Sequence, residues 1–146
     1  RDRHGRFFEM AHDCLPPDGV MLLHTIVRPS DEEFAQRALP ITIGHLRFVR
    51  FIMKEIFPGG DLTQPKDITG QAEQAGFRVT GVQSLRMHYA RTLDCWSAAL
   101  EGNRDRVLEI QSEEVYDRYL KYLTGCAEAF RDGYIDVCQF SLVKGG

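Results

Sequence analysis

Residues 87–96, Met-His-Tyr-Ala-Arg-Thr-Leu-Asp-Cys-Trp, place one phenol among apolar side chains. If this segment is helical, Tyr89, Leu93 and Trp96 share one face, because offsets of four and three bring side chains to the same side. A single proton-bearing oxygen on an apolar face suits a site that excludes water and performs polar chemistry at one point. The alternative is a core tyrosine whose hydroxyl is satisfied by the backbone, and the spacing leaves both open.

A histidine stands near the end of the short apolar run VMLLHTI at 20–26. A nearly continuous apolar run predicts a strand buried on both faces, as in a parallel sheet covered by helices. Open α/β sheets bind ligands just beyond the carboxyl ends of their strands, so His24 is a candidate site residue. A hydrogen-bonded structural histidine is the alternative.

The elements that must position these residues alternate along the chain. Hydrophobic patterns predict strands over 20–26, 77–85 and 135–143, and helices over 1–15, 65–75, 87–102 and 105–131. Ser30 and Glu33 have the spacing of a capping box at a further helix start. This order predicts the back half of a doubly wound α/β sheet, with the last strand at an edge. We expect a single α/β domain over 1–146.

The last predicted helix carries a second set of candidate residues. Tyr119, Leu123, Cys126 and Phe130 recur there at offsets of four, three and four. Such offsets predict one continuous helix face. With His24 and Tyr89, this face indicates an apolar pocket bordered by a few polar groups.

The segment from Ile41 to Phe57 is too apolar for an ordinary surface helix, and Arg47, Arg50 and Lys54 occupy its other face. One interpretation is a core helix. The other is a helical cap over 29–60 that lines an apolar tunnel and turns its basic face toward an anionic partner or a lipid surface.

Bulk properties exclude several classes of protein. A net charge of −3 over 146 residues gives no general attraction for nucleic acid. No apolar run approaches the roughly 20 residues that span a bilayer. The four cysteines form no C-x-x-C pair and no metal motif is present, which indicates reduced thiols in a cytoplasmic protein. The chain lacks an initiator methionine and begins inside a predicted helix, so we expect it to belong to something longer.

Several blocks of sequence resemble one family: LHTI at 23–26, EIFPGG at 55–60, HYARTL at 88–93, QSEEVY at 111–116 and the segment 119–133. In order and through essentially the whole chain, they closely resemble the mycolic acid cyclopropane synthases and the wider mycolic acid methyltransferases, within the cyclopropane-fatty-acyl-phospholipid synthase group. The resemblance implies a class I S-adenosylmethionine-dependent methyltransferase with a Rossmann-like sheet. This chain would be its C-terminal half, with an inserted helical cap over an acyl channel.

The reaction that this resemblance implies is methyl transfer to a cis double bond of a long acyl chain, presented by an acyl carrier protein. Loss of a proton from the resulting carbocation closes a cyclopropane, whereas water captures the cation in sister enzymes. Family enzymes hold a bicarbonate ion that can act as the base, and its ligands match His24, Tyr89 and Cys126. Family positions that line the acyl channel match Ile26, Phe57, Leu93 and Phe130.

The resemblance also places parts of the site elsewhere. The glycine-rich S-adenosylmethionine loop and its ribose-binding acid are expected upstream of residue 1, so the chain alone should bind the cofactor poorly. Cys95 and Cys138 stand where we expect leucine and asparagine in close relatives, which bears on subtype. The basic face of 41–57 is either a docking surface for the acyl carrier protein or a simple solvated face.

Two further hypotheses come from other classes. The first is a non-catalytic lipid-binding fragment or pseudoenzyme that keeps the apolar channel and lacks the cofactor site. The second is a methyltransferase of small polar molecules, which the apolar 41–57 segment disfavours because such a substrate needs no apolar channel.

Overall fold

The structure is a computed structural model that describes residues 2–145, with side-chain exposure from residue 4 onward. Its elements in chain order are α1 (Asp2–Cys14), β1 (Val20–Val27), α2 (Asp31–Gln36), α3 (Ile43–Phe51), a π-helical segment (Ile52–Ile56), α4 (Pro65–Gln74), β2 (Phe77–Ser84), α5 (Arg86–Gly102), α6 (Arg104–Ile110), α7 (Glu113–Asp132) and β3 (Asp136–Lys144). They divide into two compact units, one of residues 2–36, 62–85 and 135–145 and the other of residues 37–61 and 86–134.

The three strands form a sheet in which β3 lies between β1 and β2 and is antiparallel to both. The edge position predicted for the last strand is therefore wrong, and its side chains Val137 and Phe140 are fully buried. The burial of β1 on both faces is also wrong, because Val20, Leu22 and His24 are exposed. The pattern of apolar residues predicts which face of a strand is covered by other elements, but it does not predict which strands pair with each other. In an antiparallel sheet, one face can remain exposed to solvent.

The core of the first unit lies between this sheet and the helices α1 and α4. The buried side chains of this core are Phe8, Val27, Ile68, Ala72, Phe77, Cys138, Phe140 and Leu142. The rings of Phe8 and Phe77 meet edge to face with centroids 6.4 Å apart, a favourable geometry for aromatic pairs. Lys144 Nζ donates to the carbonyl oxygens of His12 at 2.7 Å and Leu15 at 2.9 Å, so a cation stabilises the C-terminal end of α1.

Helix ends follow the capping residues of the sequence. The capping box predicted for α2 is confirmed: the Ser30 N–H donates to Glu33 Oε2 at 2.9 Å, and the Glu33 N–H donates to Ser30 Oγ at 3.1 Å. The single helix predicted over 105–131 is wrong. Ser112 Oγ accepts from the Val115 N–H at 3.3 Å and starts α7 separately from α6. Gly133, at φ +89°, ends α7 in the left-handed region.

The apolar 41–57 segment belongs to the second unit. Thr42 Oγ1 accepts from the His45 N–H at 3.2 Å, and this cap starts α3 at Ile43. The helix then widens into the π-helical segment, which closes with the Phe57 N–H donating to Ile52 O at 2.8 Å. No residue of α3 or the π-helical segment is buried, so the core-helix interpretation is wrong. Within residues 2–145, no helix has both the length and the apolar character needed to cross a membrane.

The second unit depends on a close approach between α3 and α7 at Gly125. A Cβ at this position would come within 2.5 Å of Phe48 Cζ. Gly125→Ala should therefore lower the free energy of unfolding by about 1–2 kcal/mol, because the overpacking cost exceeds the gain in helix propensity. Urea unfolding measures the change.

Gly70 provides the matched control for this substitution. It lies inside α4, and a Cβ there would meet nothing within 4 Å. Gly70→Ala should raise the free energy of unfolding by about 0.5–1 kcal/mol through helix propensity alone. If both substitutions stabilise the protein, the contact between Phe48 and Gly125 does not limit how closely α3 packs on α7.

Candidate functional site

The helices α5 and α7 form the frame of the candidate site within the second unit. Arg86, the first residue of α5, donates through Nη1 to the carbonyl oxygens of Phe130 at 2.7 Å and Arg131 at 2.6 Å. Arg131 Nη1 contacts both carboxylate oxygens of Asp94, at 2.9 and 2.8 Å. The start of α5 therefore lies against the end of α7, and the two helices run antiparallel. These hydrogen bonds fix the position of α5 along the axis of α7, and therefore which side chains of the two helices meet.

Tyr89 lies half-buried on α5 with its ring against the fully buried Phe130 of α7. The two ring centroids are 5.2 Å apart with a 70° interplanar angle, an edge-to-face contact. Leu93, one turn further along α5, is also fully buried. The structure thus brings together three of the residues that the sequence singled out, on facing helices of one unit.

Trp96, which the helical offsets place on the same face as Tyr89 and Leu93, is not buried with them. Its ring contacts Tyr89 at a centroid distance of 6.4 Å, yet its side chain is 52% exposed. Tyr119 is exposed as well, so the predicted face of α7 is buried only from Leu123 onward. The helical offsets predict the direction in which a side chain leaves the helix. They do not predict whether a neighbouring element buries that side chain.

Cys126 is buried on α7, one turn before Phe130. Burial raises the pKa of its thiol to about 12. The thiol is therefore neutral at physiological pH, and its S–H is a weak donor. Such a group neither attacks as a thiolate nor adds a negative charge to the site.

Sequence reasoning missed Tyr122, which lies four residues before Cys126 on α7. Burial raises the pKa of its phenol, and the neighbouring Cys126, Tyr89 and Tyr119 raise it further. Its ring meets that of Phe57 edge to face, with centroids 6.0 Å apart. The i, i+4 spacing from Cys126 was the available signal, but the apolar periodicity selected the adjacent Leu123 instead. Tyr122 therefore connects Phe57 to the surroundings of Cys126 and Tyr89.

His24 and Ile26 belong to the first unit and lie on β1, paired with Gln139 and Val137 of β3. The side-chain amide nitrogen of Gln139 lies 3.3 Å from His24 Nδ1, within hydrogen-bond distance. His24 is exposed and Ile26 is half-buried.

In the second unit, the phenol of Tyr89 and the uncharged thiol of Cys126 donate hydrogen bonds without bringing positive charge, which suits an anion better than a metal ion. Across residues 2–145, no group of three or more histidine, cysteine, aspartate or glutamate side chains is arranged to hold a metal ion. The aromatic faces of Phe57, Phe130 and Tyr122 suit an apolar or cationic group.

Proteins of one known family are similar to this chain along nearly its whole length. The model of the mycolic acid cyclopropane synthetase family matches residues 1–140. Cyclopropane mycolic acid synthase 3 of Mycobacterium tuberculosis is 56% identical over 142 residues, which is 97% of this chain and 50% of that relative. The chain spans about half the length of the curated relatives that it matches.

Two solved structures share the fold. The cyclopropane synthase MmaA2 from Mycobacterium tuberculosis superposes with a TM-score of 0.94 at 52% identity, over 98% of this chain and 50% of that one. The mycolic acid cyclopropane synthase CmaA1, complexed with SAH and CTAB, gives a TM-score of 0.90 at 54% identity, over 99% of this chain and 50% of that one. The α/β fold predicted from the sequence, Rossmann-like and of the class I S-adenosylmethionine-dependent methyltransferase type, is confirmed.

Proposed function

The chain belongs to the mycolic acid cyclopropane synthetase family, and on that basis we propose that it supplies the acyl-binding half of an S-adenosylmethionine-dependent synthase. The proposed reaction is methyl transfer to a cis double bond of a long acyl chain, which forms a cyclopropane or a related methyl branch. The observation that carries the proposal is the cluster of Tyr89, Phe130 and Cys126, where two neutral donors border an apolar wall.

The apolar wall has a definite task in this reaction. An alkene is a weak nucleophile, so most of the catalytic gain comes from holding it in line with the reacting methyl. S-adenosylmethionine supplies that methyl as a sulfonium electrophile, and its main binding residues are proposed to lie outside this chain. The wall residues exclude the water that would capture a cationic intermediate. The residues proposed for this wall are Ile26, Phe57, Leu93 and Phe130.

The polar groups have a different task, which is to hold an anion beside the cation. Bicarbonate would supply a base for proton removal. Tyr89 and His24 are proposed to donate to it through the phenol and an imidazole N–H, and Cys126 to complete the set. The phenol of Tyr89 and the neutral thiol of Cys126 donate without positive charge, so neither cancels the charge of the anion beside the cationic intermediate. The raised pKa of Cys126 supports this role, since a thiolate would repel the anion.

The acyl chain is proposed to arrive on an acyl carrier protein and to pass under a cap formed by residues 29–60. Phe57, at the end of the π-helical segment, supports this placement because its ring reaches Tyr122 of α7. A lipid-like ligand, CTAB, is bound in the structure of the relative CmaA1. A cap of this kind would shield an alkyl chain from water.

A second candidate function is lipid binding without catalysis. The observation that favours it is the buried apolar pair Leu93 and Phe130, since an apolar wall can hold an alkyl chain whether or not a methyl is transferred.

A hybrid synthase distinguishes the two functions. In it, this chain replaces the matching 142-residue segment of Cyclopropane mycolic acid synthase 3. Expressed in a mycobacterial strain without that synthase, the hybrid should yield acyl chains that are one CH2 heavier, because a methyl is added and a proton is lost. Mass spectrometry of the extracted lipids measures the product.

The matched control is the same hybrid with His24→Ala and Tyr89→Phe, which should bind S-adenosylhomocysteine normally and yield no product. A hybrid that unfolds cooperatively, binds S-adenosylhomocysteine and still leaves the lipids unchanged would refute the proposed reaction. That result would favour the lipid-binding function.

A further inference from the structure

The outer side of α3 and the π-helical segment carries an apolar stripe of four aliphatic or thioether side chains. They recur at offsets of three, three and four, so they lie along one side of the helix. Each is between 41% and 70% exposed. The stripe consists of Ile43, Leu46, Val49 and Met53. Exposed apolar residues are common singly, but a continuous row is a feature of interaction sites.

A basic row lies directly beside the apolar stripe. It consists of Arg47, Arg50 and Lys54, all exposed, and each residue directly follows a member of the stripe. In the described part of the chain, none of the three forms an ion pair. The acidic residue of the segment, Glu55, is paired instead with Arg118 of α7 through a 3.2 Å contact. The row therefore presents a local positive charge, although the whole chain carries −3.

The opposite side of the same helix is already occupied. The Phe48 ring packs against Gly125 of α7, and Lys121 Nζ lies 4.3 Å from the centroid of the Phe51 ring. Within the second unit, α7 therefore takes the inner side of α3, and the apolar stripe and basic row remain on the outer side.

We propose that the apolar stripe and the basic row form a docking surface for an anionic lipid layer. The helix would lie in the plane of the headgroups, with the stripe entering the boundary of the acyl chains and the row contacting the phosphates. Amphipathic helices bind membranes in this way through buried apolar area and attraction to anionic lipids. This surface is separate from Tyr89 and Cys126, and the proposal does not depend on the methyl-transfer reaction.

The interleaving of the two rows favours lipid over an acidic protein. An acidic protein would cover the apolar stripe only if it also carried a matching apolar face beside its acidic groups. A fluid apolar layer bordered by anionic groups matches both rows at once along the full length of the segment.

Vesicle sedimentation with the 146-residue chain tests the surface. The probes are vesicles of phosphatidylcholine containing phosphatidylglycerol and vesicles of phosphatidylcholine alone. The chain should bind the anionic vesicles and bind the neutral ones far more weakly. Substituting glutamine for all three residues of the basic row should weaken binding by about 10²-fold, at about fivefold for each charge. Leu46→Gln with Val49→Gln should weaken it by about tenfold.

Matched controls lie on α6 of the same unit, where Ile110 is 73% exposed and Arg106 is exposed. Ile110→Gln and Arg106→Gln should leave vesicle binding unchanged, and circular dichroism checks that every variant is folded. Equal binding to both kinds of vesicle, or no binding to either, would overturn the proposal. Sensitivity to the basic row without sensitivity to the apolar stripe would also overturn it and would point to an acidic protein as the occupant.

Discussion

Tyr89→Phe is expected to lower the turnover number of the hybrid synthase by about 10²-fold while its affinity for S-adenosylmethionine stays within about twofold. The substitution removes only the phenolic oxygen and keeps the ring that packs edge to face on Phe130 at 5.2 Å. If the phenol donates to an anion beside the cationic intermediate, its loss raises the barrier of the chemical step. Single-turnover kinetics and calorimetry with S-adenosylmethionine measure the two quantities separately.

Tyr119→Phe is the matched control for this experiment, because it removes a phenol from an exposed ring on α7 of the same unit. It should leave both quantities unchanged. Parallel losses of turnover and cofactor affinity in Tyr89→Phe would assign Tyr89 to the cofactor or to the core, and would contradict its placement beside the anion.

Phe130→Ala should lower the free energy of unfolding by about 3–5 kcal/mol. Phe130 is 1% exposed and fills the space between α5 and α7, so its removal leaves a cavity that the fastened helices cannot close. Urea denaturation of the 146-residue chain measures the loss from the midpoint and slope.

Trp96→Ala is the control, because Trp96 also packs on the Tyr89 ring but is 52% exposed. We expect a loss of about 1 kcal/mol or less from it. If both substitutions cost the same, the wall between α5 and α7 is not a packed core, and the rigid positioning of Tyr89 has no structural basis.

Local features were the part of the fold that could be predicted. The capping box of Ser30 and Glu33 formed as expected because both partners lie within one helical turn. The ranges of the three strands were also predicted to within about one residue, but their order in the sheet was not. Pairing joins distant residues: His24 pairs with Gln139, and the alternation of apolar residues in β3 does not encode that partner. The central position of β3 in the sheet could therefore not be predicted from the sequence.

The candidate site was likewise predicted only in part. Helical offsets correctly predicted that Tyr89 and Leu93 lie on one side of α5, and the apolar face predicted for α7 includes Phe130, whose ring packs on Tyr89. The offsets did not distinguish the buried Leu93 from the exposed Trp96, because the burial of a side chain depends on the neighbouring helix that packs against it. Tyr122 was missed because the apolar periodicity selected the adjacent Leu123, although the Tyr122 ring lies against Phe57. The role of His24 came from family resemblance alone.

The exposed side of β1 has a consequence for handling the chain by itself. Val20 and Leu22 are exposed on a strand that pairs with β3 along one side, and among residues 2–145 its other side pairs with no strand. A long apolar strand of this kind is a template for pairing between molecules, since Val20–Val27 contains no lysine, arginine, aspartate, glutamate or proline. Self-association is therefore expected to begin at this strand, which also carries His24 and Ile26, two of the residues proposed for the site.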